Sequence, residues 1–112
     1  MPRTTDSILN AIETAVANKE IWSPGTWLEC AQDLIALSSN ETDRVAELQQ
    51  QVARKKLEIM EQGKTAAYAK IAIEASDEYL YLQKQKAKVE RIMETVRISK
   101  YQARLQDEAY RQ

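Results

Sequence analysis

The side chains that most enzymes use for acid–base and metal chemistry are scarce in this sequence. It contains no histidine and a single cysteine, Cys30. Histidine acid–base catalysis, Ser-His-Asp or Cys-His nucleophilic systems and most zinc sites are therefore excluded. Cys30 lies on the apolar side of a helical pattern, which favours a buried, unreactive thiol. We therefore predict a protein that is not an enzyme and has no catalytic residues, cofactor or metal site.

One short segment has the composition of a phosphate-binding loop. Gly63-Lys64-Thr65 matches the end of a P-loop, but that motif needs another glycine five residues before its second glycine, after a strand. Glu58 occupies that position within a helical pattern, and its charge would repel phosphate. We therefore do not expect nucleotide binding.

Basic residues are concentrated in the last third of the chain. Residues 1–50 carry 3 basic and 8 acidic side chains, whereas residues 79–104 carry 7 basic and 2 acidic ones, with tyrosines between them. Cations with aromatic rings suit single-stranded nucleic acid. The alternatives are a solvated helix surface and salt bridges to an acidic subunit. The candidate nucleic-acid-binding residues are Lys84, Lys86, Lys88, Arg91, Arg97, Lys100 and Arg104.

These cations stand on a segment, residues 77–110, that has no Gly or Pro and reads as one long helix. A helix of this length needs a packing partner, because propensity alone stabilises helices weakly in water. The spacing predicts a coiled-coil seam with the members Leu82, Gln85, Val89, Ile92, Val96, Ser99 and Ala103. A second apolar stripe lies nearly opposite and suggests a second partner, which is either the N-terminal helices or another subunit. We expect a homo-oligomer. The candidate self-association residues are Leu80, Ile98, Tyr101 and Leu105.

The rest of the chain also reads as helices. A first short helix carries apolar residues from Ile8 to Val16. Ser23-Pro24 predicts the start of a second helix, and a capping box from Thr26 to Glu29 is a competing start one turn later. Either start places this helix over about residues 27–37, with inward-facing Leu28, Ala31, Leu34 and Ile35. Ser38-Ser39-Asn40 predicts a break, after which residues 41–62 form a long helix that Gly63 ends. Residues 66–75 form either a separate short helix across the tip of the hairpin or the beginning of the last long helix, and we favour the separate helix.

The predicted fold is therefore all-α. It is an antiparallel hairpin of two long helices, residues 41–62 and 77–110, with two short N-terminal helices packed at one end. The predicted division is an N-terminal appendage, residues 1–40, and a hairpin, residues 41–112. Trp22 and Trp27 flank the turn in the appendage. They either fill the corner between the two short helices or form an exposed anchor for a partner.

No apolar run approaches the length of a membrane span, and the N-terminus is too polar for a signal peptide. We expect no membrane association and a cytoplasmic protein.

The order of features in residues 41–104 adds a resemblance. A long polar helix, Gly63-Lys64-Thr65, an Ala-rich segment and Ser76-Asp77-Glu78-Tyr79 precede the basic run of residues 86–97. This pattern resembles small helical-hairpin proteins of tailed phages and is loosely similar to recombination mediators, which load a recombinase onto single-stranded DNA. The resemblance implies oligomerisation, phosphate contacts from the basic residues and a recombinase or replication enzyme as partner. The Trp-flanked turn and the slightly acidic net charge of −1 depart from that family.

The sequence thus predicts a self-associating accessory factor of DNA recombination or replication that binds single-stranded DNA and a partner enzyme. One alternative is a structural or adaptor protein of a virion or assembly that acts by protein contacts only. Another is a small inhibitor that docks on a host enzyme through its acidic N-terminal half.

Overall fold

The computed structural model describes residues 3–111, and every regular element in that range is a helix. The helices are α1 (Thr5–Ala17), α2 (Pro24–Glu61), α3 (Ala66–Glu74) and α4 (Asp77–Arg111). The predicted all-α class is confirmed, as is the packing of two long helices against each other. The last long helix runs without a break through the described residues.

Helix α1 begins with a capping box. The Thr4 hydroxyl accepts a hydrogen bond from the Ser7 amide, and the Ser7 hydroxyl accepts one from the Thr4 amide. These bonds satisfy two amides that the helix start would otherwise leave unpaired. Helix α2 begins at Pro24, as predicted, and the Ser23 hydroxyl accepts a hydrogen bond from the Thr26 amide.

The predicted break at Ser38-Ser39-Asn40 is wrong, because α2 continues through these residues to Glu61. The Ser38 hydroxyl donates to the carbonyl oxygen of Ile35, at 2.6 Å, one turn earlier in the same helix. A serine bonded in this way remains helical. Only one short helix, α1, therefore precedes the long pair, whereas the sequence predicted two.

The predicted end of the first long helix and the predicted start of the next helix are confirmed. Gly63 follows α2 with a positive φ of 86°, a conformation that glycine adopts without a steric penalty. Thr65 caps α3 by accepting a hydrogen bond from the Tyr68 amide, so the segment after Gly63 is a separate short helix.

The contacts of the described chain form two units. The first contains residues 3–39 and 90–111, and the second contains residues 40–89. The division at residue 40 into an appendage and a hairpin stays a prediction, while these contacts group the end of α4 with α1. The core of the first unit is apolar and consists of Ile8, Leu9, Ile12, Ala15, Trp27, Cys30, Leu34, Ile92 and Ala103.

The second unit has a more polar seam between α2 and α4. Lys55 forms an ion pair with Glu78 at 2.8 Å, and the Gln85 amide donates to the Glu41 carboxylate at 2.6 Å. Within this unit, Glu41 near the start of its α2 segment meets Gln85 near the end of its α4 segment, and Lys55 near the end of the first meets Glu78 near the start of the second. The two helices are therefore antiparallel. The buried apolar residues of this unit are Leu48, Ala69, Ile73 and Leu82.

Candidate nucleic-acid and partner-binding surface

The outer side of α4 in the first unit carries a cluster of exposed cations. Arg97, Lys100, Tyr101 and Arg104 are spaced by three and four residues, so they share one side of the helix. All four are exposed, while Ser99 between them is buried and donates to the carbonyl oxygen of Trp27 at 2.6 Å. Packing through the seam thus orients α4 with Arg97, Lys100, Tyr101 and Arg104 outward. We call these four residues the cationic face.

Arg91 is engaged within the chain. Its Nε and Nη2 atoms donate to the two carboxylate oxygens of Glu13 at 2.6 and 2.7 Å, and Nη2 also lies 3.3 Å from Asn10 Oδ1. The hydrogen bonds from Arg91 lower the pKa of the Glu13 carboxyl, and those to Glu13 raise the pKa of the guanidinium. This two-bond ion pair between Arg91 and Glu13 connects α4 to α1.

Two other predicted cations also have carboxylate partners. The Lys88 ammonium lies 3.3 Å from the Glu41 carboxylate, and both side chains are largely covered. Arg97 pairs with Glu94 one turn away at 3.0 Å. Exposed ion pairs such as Arg97–Glu94 contribute little to folding stability, so Arg97 can exchange Glu94 for another anion at small cost in free energy.

The remaining predicted cations differ in exposure. Among the described residues, Lys84, Lys86, Lys100 and Arg104 form no ion pair. Lys84, Lys100 and Arg104 are exposed, and Lys86 is half-buried. The structure therefore brings three of the seven candidates, Arg97, Lys100 and Arg104, together with Tyr101 on one face.

The four candidate self-association residues are exposed in the single chain. Leu80 lies in the second unit, and Ile98, Tyr101 and Leu105 lie in the first. Ile98 also borders a groove of about 200 Å³ that Ile12, Val16 and Thr95 help to line. The seam residues of α4 are covered by the chain itself, so the second stripe offers apolar surface to a partner.

The two tryptophans lie against each other and differ in burial. Their ring centroids lie 4.4 Å apart with a tilt of 35°, and Trp27 is fully buried in the core. Trp22 is half-buried and packs against that core. A buried ring has no surface to offer a partner, so Trp27 is a packing residue and an anchor role is open only to Trp22.

A groove beside the cationic face was not predicted from the sequence. Its volume is about 420 Å³, and its lining residues are Pro24, Leu28, Lys100, Ala103, Arg104 and Asp107. The sequence assigned Leu28 to the inward face of its helix, but it is 44% exposed. Its position depends on how the first turns of α2 meet α4, and no local pattern encodes that contact.

Cys30 is buried, as predicted, and accepts a hydrogen bond from Arg3 Nη2 at 3.1 Å. That bond is the largest cause of the raised pKa of Arg3, which also pairs with Asp33. Within residues 3–111, no three His, Cys, Asp or Glu side chains are grouped so that they could hold a metal ion. No helix in the described range has the length and apolarity needed to cross a membrane.

Every regular element among residues 3–111 is thus a helix, and the exposed side of α4 combines cations, Tyr101 and aliphatic residues. The chain matches no family model, no curated protein and no solved structure. The resemblance to recombination mediators therefore stays a prediction.

Proposed function

We propose that this protein is a non-enzymatic accessory factor of DNA recombination or replication that binds single-stranded DNA through the cationic face. The observation that carries this proposal is that Arg97, Lys100 and Arg104 are exposed on the same side of α4 as the exposed Tyr101. Single-strand binding sites combine cations along the backbone with rings on which bases stack. Lys100 and Arg104 have no described carboxylate partner to displace, so phosphate binding costs no internal ion pair.

A double charge reversal tests the proposal. Lys100→Glu with Arg104→Glu is compared with Arg54→Glu plus Lys56→Glu, which makes the same charge change at exposed residues of α2. Binding of a fluorescent 20-nucleotide oligo(dT) is followed by anisotropy over a range of salt concentrations. Each phosphate contact contributes about 0.7 to the slope of log K against log salt for single strands. We expect the first variant to lose binding, or to show a slope lower by about 1.4, and the control to retain most of both.

Equal weakening in the two variants would show that only net charge matters, and it would refute a localised site. Circular dichroism should show that both variants remain helical, because all four substituted residues are exposed.

A second candidate function is supported by the exposed second stripe. Ile98, Leu105 and Leu80 suit an adaptor or structural protein that acts by protein contacts, including contacts with its own copies. Light scattering of the purified protein with and without the oligonucleotide separates the two candidates. A stable oligomer whose mass is indifferent to DNA supports the second one and contradicts the first.

A further inference from the structure

The groove beside the cationic face combines two kinds of surface. Pro24 and Leu28 from the start of α2 and Ala103 from α4 provide apolar atoms, and Lys100 and Arg104 provide two positive charges. Its volume of about 420 Å³ lies within the range of small-molecule sites, about 300–1,000 Å³. The groove is therefore large enough for one planar ring system with its substituents.

The charges around this groove favour an anionic occupant. Two cations face a single carboxylate, Asp107, and the first turn of α2 contains no acidic residue. Lys100 and Arg104 stand one helical turn apart, so both can approach the same short stretch of a ligand. The occupant that fits combines a flat apolar face with negative charges beside it.

We propose that this groove receives one base of a bound single strand while Lys100 and Arg104 hold the adjacent phosphates. The inference rests on the proposed function and deepens it, because it assigns a base contact to a residue outside the cationic face. Extruded bases are held between aromatic or apolar side chains, and Leu28 supplies such a side chain here. The base makes no predicted hydrogen bond with the groove, so every base is accepted.

The test compares two oligonucleotides of equal length and charge, a 20-nucleotide oligo(dT) and its fully abasic analogue. Stacking or apolar packing of a base strengthens single-strand binding, so we expect the wild type to bind oligo(dT) about tenfold more tightly than the abasic analogue. Leu28→Ala reduces that preference to the part that stacking on Tyr101 contributes, and it leaves abasic binding and the salt dependence unchanged. The control Ile35→Ala retains the preference, because Ile35 is similarly exposed on the same helix, at 47%, but does not line the groove.

The possible failures point to different steps. Equal wild-type affinity for both oligonucleotides refutes the base contact while leaving phosphate binding by the cationic face intact. Equal weakening of both by Leu28→Ala also refutes it, because loss of a base contact cannot change abasic binding. Failure of the wild type to bind either oligonucleotide refutes the proposed function, and this inference with it.

Discussion

Replacement of Ile92 by alanine tests the packing that orients α4. Ile92 is 1% exposed and belongs to the apolar core of the first unit. The substitution removes three buried carbon groups at about 0.8 kcal/mol each, and the cavity left behind adds to that loss. We expect the free energy of unfolding to fall by about 3 kcal/mol, a large part of the 5–15 kcal/mol typical of a domain.

Urea denaturation followed by circular dichroism at 222 nm measures this loss, and thermal unfolding should show a decrease of roughly 10 °C in Tm. Met93→Ala is the matched control, because Met93 is the next residue on α4 and is 64% exposed. It should change the free energy of unfolding by no more than about 0.5 kcal/mol. A loss below about 1 kcal/mol for Ile92→Ala, or similar losses for both variants, would contradict the assignment of the seam.

Two further predictions concern the ion pair between α1 and α4 and the continuity of α2. Glu13→Gln should lower the free energy of unfolding at pH 7 by about 0.2–1 kcal/mol, since both partners are over 40% exposed. Because Arg91 lowers the pKa of Glu13 in the folded state, that difference is present above the usual value of 4.5. The difference in unfolding free energy between the wild type and Glu13→Gln disappears as the pH falls through the lowered folded-state pKa of Glu13. A difference that grows at acidic pH would contradict the pairing. Ser39→Pro should cost about 3 kcal/mol or more and reduce helicity, whereas Ser39→Ala should be neutral or slightly stabilising. Tolerance of proline at this position would indicate that α2 is interrupted there.

The sequence best predicted the helix ends at which a local backbone requirement selects a particular residue type. Pro24 starts α2, Gly63 follows its end and Thr65 caps α3, and in each case a local backbone requirement selects the residue type. The prediction of a break at Ser38-Ser39-Asn40 was wrong, because small polar residues are also acceptable within a long helix.

The sequence predicted the residue types of the candidate site, and helical spacing placed Arg97, Lys100 and Arg104 on one face, but neither gave their partners. The composition of residues 79–104 pointed to the cations, but their environments differ in the fold. Arg91 is bound to Glu13, 78 residues away, while Lys100 has no described carboxylate partner. Trp27 was offered as a partner anchor and is instead at the centre of the core, against Trp22. Helical spacing identifies which residues share a face, but it does not say what that face meets.

The sequence by itself therefore determined the helical class, the long final helix and the seam of α4, because these depend on propensity and on a repeat of 3.6 residues. Only the tertiary structure decided which cations are neutralised, which aromatic rings are buried and that Leu28 borders a groove. Those outcomes depend on contacts between residues far apart in the chain, and their geometry is set by the packing of whole helices rather than by any short pattern.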